Sequence, residues 1–448
     1  MQTQNKLDRD YNALALFRYT IPSILSLLFM SLYQMVDAIF VSQFVSENAL
    51  ASINIVYPVI SVVLAVTLML STGGSAIVAR KLGEGKAQTA KEDFSVLILT
   101  TVILSALITI FTTLFMEPLL KFMGATPALW QDCYDYLRIL ILFMPAAALQ
   151  LSFSSFFITA GKPNLGFVLT ILSGATNIFL DYLLIVKIPM GISGAAWGTA
   201  IGYLVAAVPG LLYFLLQRKG TIFFVKPVLR IKMLGFACFN GSSEMVSNLS
   251  TAVTTLLFNK LALYYMGESG VAAITVVLYA QFFLTAVFMG FIGGAAPIFS
   301  FNLGSGNTTR LRNLFRYSFF TVAALTLMII ITAYALASPI VSVYIRPESS
   351  SFSLALHGFL LFSTGYLFAG FNIYASGLFT ALQNGKISAL ISGLRTFVFL
   401  VLSLLTLPLV LDADGIWLAV PVAELLSFVV AIGCIIKYRE QYHFSFKK

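Results

Sequence analysis

The stretch ENALASINIVYP at residues 47–58 returns as ESGVAAITVVLY at 268–279. Glu47 aligns with Glu268, Ala51 with Ala272, Ile53 with Ile274 and Val56 with Val277. The same shift of about 221 residues brings GGSAIVARKLGEGK (73–86) onto GGAAPIFSFNLGSGN (293–307), pairing the glycines and the LGxG that follows. Thr159-Ala160 then meets Thr380-Ala381, and GAAW at 194–197 meets GIW at 415–417. One such match would carry little, but four at nearly one offset mark a duplicated chain.

What is duplicated is membrane-spanning. The 448 residues are 59% hydrophobic and 10% charged, against roughly 25% charged in soluble domains. Apolar spans of about 20 residues fall near 16–40, 50–79, 93–116, 134–160, 165–187, 192–217, 235–263, 271–298, 314–337, 353–380, 387–410 and 415–437. The ends of spans two and eight are the least sharply set, because Gly73-Gly74 and Gly293-Gly294 could end them early. A β-barrel would show short alternating segments instead, so the expected fold is all-α and polytopic, with twelve transmembrane helices and no soluble domain. Six spans per half is an even number, so both halves insert the same way, as parallel repeats with a cavity between two bundles. The expected domains are an N-terminal bundle at 1–217, a linker at 218–232 and a C-terminal bundle at 233–448. A duplicated scaffold without transport is the bland alternative. The polar start, MQTQNKLDRDYNALALFRYT, does not read as a cleaved signal peptide.

The net charge of +9 invites a nucleic-acid reading, but the basic residues follow membrane topology. With the N-terminus inside, 21 of the 27 Lys and Arg fall on the cytoplasmic side, Lys447 and Lys448 among them, and five outside; the remaining one, Arg395, lies well inside a span. This is the positive-inside bias. It predicts cytoplasmic termini in a plasma membrane, contact with lipid and no nucleic-acid partner. Cys133, Cys238 and Cys434 are scattered, and the histidines are His357 and His443 alone. Neither a disulfide framework nor a metal site follows.

Asp37, Asp181, Glu244, Glu424 and Arg395 lie within spans. A charge at the bilayer centre costs at least about 2.5–3.5 kcal/mol, so each needs a partner, water or a proton. Counted from the outer helix ends, Asp37, Asp181 and Thr199 share one layer in the outer third of the membrane. Asn177 precedes Asp181 by four residues and shares its helix face; Gln34 stands three before Asp37, and Asn54 enters span two at similar depth. Two buried carboxylates held close compete to ionise, so the pair can take a proton from outside and release it inside. The same oxygens are also hard ligands suited to Na⁺. A static network tying spans one, five and six is the plain alternative. At the repeat offset Asp37 faces Phe258 or Asn259, Asp181 faces Leu402 and Thr199 faces Val420, so ion coupling is expected in the first half only. Span ten offers Asn372 and no acid, which argues against a cation site in the second half. Arg395 and Glu424, on adjacent spans at overlapping depth, are expected to form a structural ion pair. Glu244 is expected either at the cytoplasmic mouth of the cavity or as a helix N-terminal charge.

The kink-prone first span with Pro22, the VDAIFV segment around Asp37, the GG…LGxG stretches, Asn177…Asp181 and GAAWGT (Gly194–Thr199) together resemble the multidrug and toxic compound extrusion (MATE) transporters. The NGSSEMVSNLS run at 240–250 is similar to their MepA-like branch. The resemblance covers essentially the whole chain. It implies a bacterial cation-coupled (H⁺ or Na⁺) antiporter that exports lipophilic, often cationic drugs by alternating access as a monomer, without a cofactor. It also implies an N-lobe ion site at Asp37, Asn177, Asp181 and Thr199. Forty Phe and 19 Tyr supply faces that attract lipophilic cations; Tyr33, Tyr57, Gln281, Phe282, Asn372 and Glu244 are the candidate cavity residues. A lipid or lipid-linked saccharide flippase would need several basic residues in its cavity, and only Arg395 is available. An enzyme would need a nucleophile–base set, and neither GxSxG, HExxH nor a Walker lysine occurs. A passive channel would not need a buried acid pair.

Overall fold

The computed structural model describes residues 6–444, and every regular element among them is helical. Lys447 and Lys448 lie outside the described residues. Helices are the required answer for a chain in lipid, where every backbone N–H and C=O must be satisfied within its own segment. The first half comprises α1 (Ala13–Phe44), α2 (Glu47–Gly83), α3 (Ala87–Leu114), α4 (Met116–Phe122), α5 (Trp130–Leu142), α6 (Met144–Thr159), α7 (Pro163–Asp181) and α8 (Ile192–Leu216). The second comprises α9 (Ile231–Gly304), α10 (Thr308–Ala335), α11 (Ala337–Ser342), α12 (Ser350–Ser363), α13 (Tyr366–Ala381), α14 (Gly385–Gly393), α15 (Leu400–Thr406) and α16 (Pro408–Lys437).

Among the described residues nine helices are long and apolar enough to cross a membrane, or eleven when two bent pairs each count as one span. The 74-residue α9 adds the twelfth, because it breaks at Gly267 (φ 67°, ψ −160°), a conformation open to glycine and strained for other residues. Either part is about 54 Å long at roughly 1.5 Å per residue, ample for a core of about 30 Å.

The duplication is visible in the backbone. α5 and α6 bend by 54°, and α12 and α13 by 51°. In the first pair Pro145 cannot donate to the carbonyl four residues back; that carbonyl, Ile141 O, accepts from Thr109 Oγ1 at 3.0 Å instead. A π-helical turn follows Asp181 (Tyr182–Lys187), and another (Leu394–Phe399) contains Arg395. Gly191 before α8 has φ 60° and ψ −142°, and Asp412, the corresponding residue of α16, has φ 48° and ψ −130°.

Two compact units form, and their boundaries differ from the expected ones. The first holds residues 6–9 and Leu25–Gly241; the second holds Asp10–Ile24 and 242–444. The linker expected at 218–232 is therefore part of the first unit, for a reason written in its contacts. Val225 N–H donates to Ser95 Oγ at 3.0 Å, and the Phe224 ring lies 5.0 Å from that of Phe94. Arg230 Nη1 bonds Asp93 Oδ1 at 2.8 Å and Nη2 bonds Glu92, while Lys81 bonds the other oxygen of the fully buried Asp93. The start of α9 follows: a Cβ on Gly73 would overlap the Ala237 carbonyl and the Gly241 amide. In the second unit a Cβ on Gly290 or Gly294 would press on Ile24 or Thr20 of α1. The paired glycines thus do not end spans two and eight. They run on inside α2 and α9 and let a neighbouring backbone come close.

Two outcomes follow. Asp93→Ala strips two cations of a buried partner and lowers the thermal unfolding midpoint, by the equivalent of about 3 kcal/mol, more than Arg230→Ala, which leaves Lys81 in place. Asp412→Gly relieves backbone strain of order 1–3 kcal/mol at an exposed position, against a smaller loss from glycine's freedom when unfolded. A thermal melt in detergent should show net stabilisation of about 1 kcal/mol.

Candidate functional site

Small residues on α8 make room for the acid on α7. Gly194, Gly198 and Gly202 recur every four residues, so they lie along one face. A Cβ at Gly198 would strike Asp181 Oδ1, and one at Gly202 would crowd the Ser173 carbonyl and Asn177. Ser173 Oγ ties the helices by donating to Gly202 O at 2.7 Å. In that contact Asn177 is 3% exposed and Asp181 is fully buried. Asn177 Nδ2 donates to Thr199 Oγ1 at 3.3 Å and more weakly to Asp181 Oδ1 at 3.5 Å.

α1 brings the fourth member. The Asp37 carboxyl stands beside Asp181, close enough for each to act on the other, and no basic side chain is among the groups acting on either acid. Two ionised carboxylates have only acceptors to offer, so a pair this close can share a hydrogen bond only when one of them carries a proton. Three buried oxygens have no donor: Asp37 Oδ1, Asn177 Oδ1 and Asp181 Oδ2. Chemically this is a cluster of acceptors around one unit of missing positive charge, which a proton or a small monovalent cation would supply.

The structure also adds tyrosines. Asp37 lies within electrostatic reach of Tyr33, Tyr136 and Tyr203, and Tyr136 also feels Asp181. Tyr203 stands four residues after Thr199, a spacing readable in the sequence as one helix face. Tyr136 on α5 has no such signal, because its approach depends on the bend after Leu142.

The remaining candidates divide. Gln34 and Asn54 are exposed and stand apart from the hydrogen-bonded set, so the expected layer of six narrows to Asp37, Asn177, Asp181 and Thr199. Pro22 lies inside an α1 that stays helical from Ala13 to Phe44. Tyr33, expected along a substrate cavity, is instead 8% exposed and packs with Phe29 against Gly174 of α7, which spares room for aromatic rings. Tyr57 and Phe282 are exposed and Gln281 is half-buried.

In the second unit Arg395 meets Glu424: Nε lies 2.8 and 3.0 Å from the two carboxylate oxygens, and Nη2 lies 2.7 Å from Oε1. Asn372, another expected cavity residue, is fully buried because its amide donates to Glu424 O at 2.8 Å and Oε2 at 2.6 Å. Glu244 is close enough to Arg395 to feel its charge.

The MatE family model matches residues 22–183 and again 244–405, one copy in each half. Multidrug export protein MepA of Staphylococcus saprophyticus is 23% identical over 370 residues, covering 79% of this chain and 80% of that one. MepA of Staphylococcus aureus is 21% identical over 363 residues, 80% of each chain. An FAD transporter of Shewanella oneidensis is 25% identical over 437 residues, 94% of this chain and 92% of that one. The fold matches a multidrug resistance MATE family transporter in an outward-facing conformation with a TM-score of 0.91, at 20% identity and 99% coverage of both chains. It matches the Vibrio cholerae MATE transporter VcmN with a TM-score of 0.87, at 22% identity, covering 96% of this chain and 98% of that one. With the family matched in both halves across most of its length, the chain belongs to the MatE family of multidrug efflux transporters, and it is a transporter rather than an enzyme.

Proposed function

We propose that this protein is an antiporter of the plasma membrane, with cytoplasmic termini, that exports lipophilic cationic compounds in exchange for H⁺ or Na⁺ bound at Asp37, Asn177, Asp181 and Thr199. The observation that carries this reading is the acid pair itself: two carboxyl groups side by side, without a base, with one oxygen of each and the neighbouring Asn177 Oδ1 lacking donors. A static network would pair its acceptors with donors.

The placement of Asp37 supports a mechanism. α1 carries Asp37 in the first unit, yet its residues 13–24 belong to the second. Pro22 removes one backbone hydrogen bond two residues before the change of unit. Loading the acid pair from outside neutralises charge at one end of a helix whose other end is packed elsewhere, and we assign to this helix the shift between outward-open and inward-open states. A bound ion moves such an equilibrium only through different affinities for the two states. A monovalent cation exported for one H⁺ or Na⁺ moves no net charge, so the drive is the ion's own concentration gradient, each tenfold of which is worth about 1.4 kcal/mol and sustains a tenfold ratio of the exported compound.

An anionic cargo, such as a flavin dinucleotide or a lipid-linked pyrophosphate, calls for a free basic group in the membrane. Arg395, the base within the spans, is already held by Glu424. This favours a cationic substrate over the flippase reading.

The test is ethidium efflux from proteoliposomes with ΔpH and a Na⁺ gradient imposed separately. Asp37→Asn and Asp181→Asn should each lower the gradient-driven rate at least about tenfold, the loss of roughly 1.4 kcal/mol of coupling, and Gln34→Ala and Asn54→Ala should stay near wild type. The gradient that drives the wild type names the ion. Efflux that ignores both gradients, or full efflux by the doubly neutralised variant, would overturn the reading.

A further inference from the structure

The segment between α8 and α9 is turned inside out. Residues 218–232 hold Arg218, Lys219, Lys226, Arg230 and Lys232, and no acid follows until Glu244. A coil facing water points its charges outward and its apolar side chains inward. Here Arg230 reaches in to Asp93 and Glu92, while its neighbours Leu229 and Ile231 are 68% and 76% exposed and Val228 is exposed with them. Lys226 and Lys232 stand exposed at the two ends of this run. The pattern continues into α9. Met233, Ala237 and Asn240 are buried, three and four residues apart on one face, and Ala237 lies against Gly73 of α2. Lys232, Phe236 and Phe239 make the opposite face and are exposed. Single apolar residues on a surface are ordinary, but a contiguous run marks a binding surface.

What faces out is fixed by what is held in. Besides the contacts of Phe224, Val225 and Arg230, the Phe223 ring has Lys91 Nζ 4.1 Å and the Arg218 guanidinium 5.7 Å from its centre. The second unit supplies a control. Phe315 lies 221 residues after Phe94, and the chain after α16 docks on it as the linker docks on Phe94. The Phe444 and Phe315 rings are 4.3 Å apart, and Asn384 Nδ2 donates to the Tyr442 hydroxyl at 3.2 Å. In that tail the order is the ordinary one: Tyr442 and Phe444 are buried, and Arg439, Glu440, Gln441 and His443 are exposed. Two segments at the same place in the repeat are thus built for different surroundings, the tail for water and the linker for an apolar phase that carries negative charge.

We propose that residues 226–239 form a docking surface for anionic phospholipid. Val228, Leu229 and Ile231 enter the boundary between headgroups and acyl chains, and Phe236 and Phe239 continue along the chains. Lys226 and Lys232 bind the lipid phosphates, their stems lying along the apolar residues. A free phosphate or a nucleotide would meet the lysines and leave the apolar run bare; a phospholipid carries both parts in one molecule. Because Arg230 holds the same segment to Asp93, protein and lipid grip the linker from its two sides.

The test needs neither transport nor a known orientation, so its failure is separate from that of the antiport reading. Full-length Leu229→Trp protein is placed in nanodiscs of equal parts phosphatidylglycerol and phosphatidylcholine, with the acyl chains of one lipid brominated at a time. Its fluorescence is read against that of the unsubstituted protein. Brominated phosphatidylglycerol should quench the added indole about fivefold more than brominated phosphatidylcholine, the preference that one lysine commands at an anionic surface, roughly 1 kcal/mol. The excess should vanish when Lys226→Gln and Lys232→Gln are added, and shrink in high salt. Equal quenching by the two lipids, or an excess that survives both glutamines, would remove the anionic preference. An indole open to aqueous iodide, or shielded from both lipids by a second copy of the chain, would overturn the surface altogether.

Discussion

A carboxylate placed among hydrocarbon must find a base, a cation or a proton, because leaving it bare costs several kcal/mol. The rest of this molecule is organised by how that demand is met. In the first unit the acids meet each other: Asp37 and Asp181 stand side by side, and no base is among the groups acting on them. In the second unit Glu424 meets Arg395, a counter-charge that the chain carries with it. The first arrangement leaves its counter-charge unsupplied by the chain, and the second has it built in.

Helix packing in lipid has no hydrophobic drive of its own and depends on close approach, which is why glycine does so much here. Gly198 gives Asp181 its place, Gly174 admits Tyr33, and Gly73 and Gly294 admit the crossing segments of α9 and α1. Larger side chains at these positions would push apart the helices whose contact buries the acids. Proline works the other way, by withholding a donor: Pro145 frees the Ile141 carbonyl for Thr109, where α5 and α6 bend by 54°.

Much of this is legible in the sequence, and the division between legible and hidden is physical. The duplication, the helical class and the core of the first site follow from offset, hydropathy and the i to i+4 spacing of Asn177 and Asp181. Depth along a helix can be counted, so Asp37, Asp181 and Thr199 fall at one level. Direction around a helix cannot be counted without a partner, and there the expectation was too broad: Gln34 and Asn54 share the depth but are exposed. Tyr33 and Asn372, offered as cavity residues, are buried against neighbouring helices, since a polar or aromatic residue with a buried partner looks, in sequence, like one facing a ligand. The linker was misplaced because a basic, proline-containing loop reads as free, and nothing local announces that Arg230 docks on Asp93.

The duplication preserved backbone and let chemistry diverge, which bears on how one ion can act on the whole molecule. Both halves have a bent fourth helix and a π-helical turn in the fifth, and both put the strained backbone of Gly191 and Asp412 at the same place, even where the second copy has lost its glycine. Such features set where helices break and are costly to change. Side chains inside the bundles were freer: the level that holds two acids in one copy holds Phe258 or Asn259 and Leu402 in the other. The acid pair thus stands in one unit only, and α1, the helix that carries Asp37, has its residues 13–24 in the other; no second copy of the pair exists at the repeat offset, because the residues there cannot ionise.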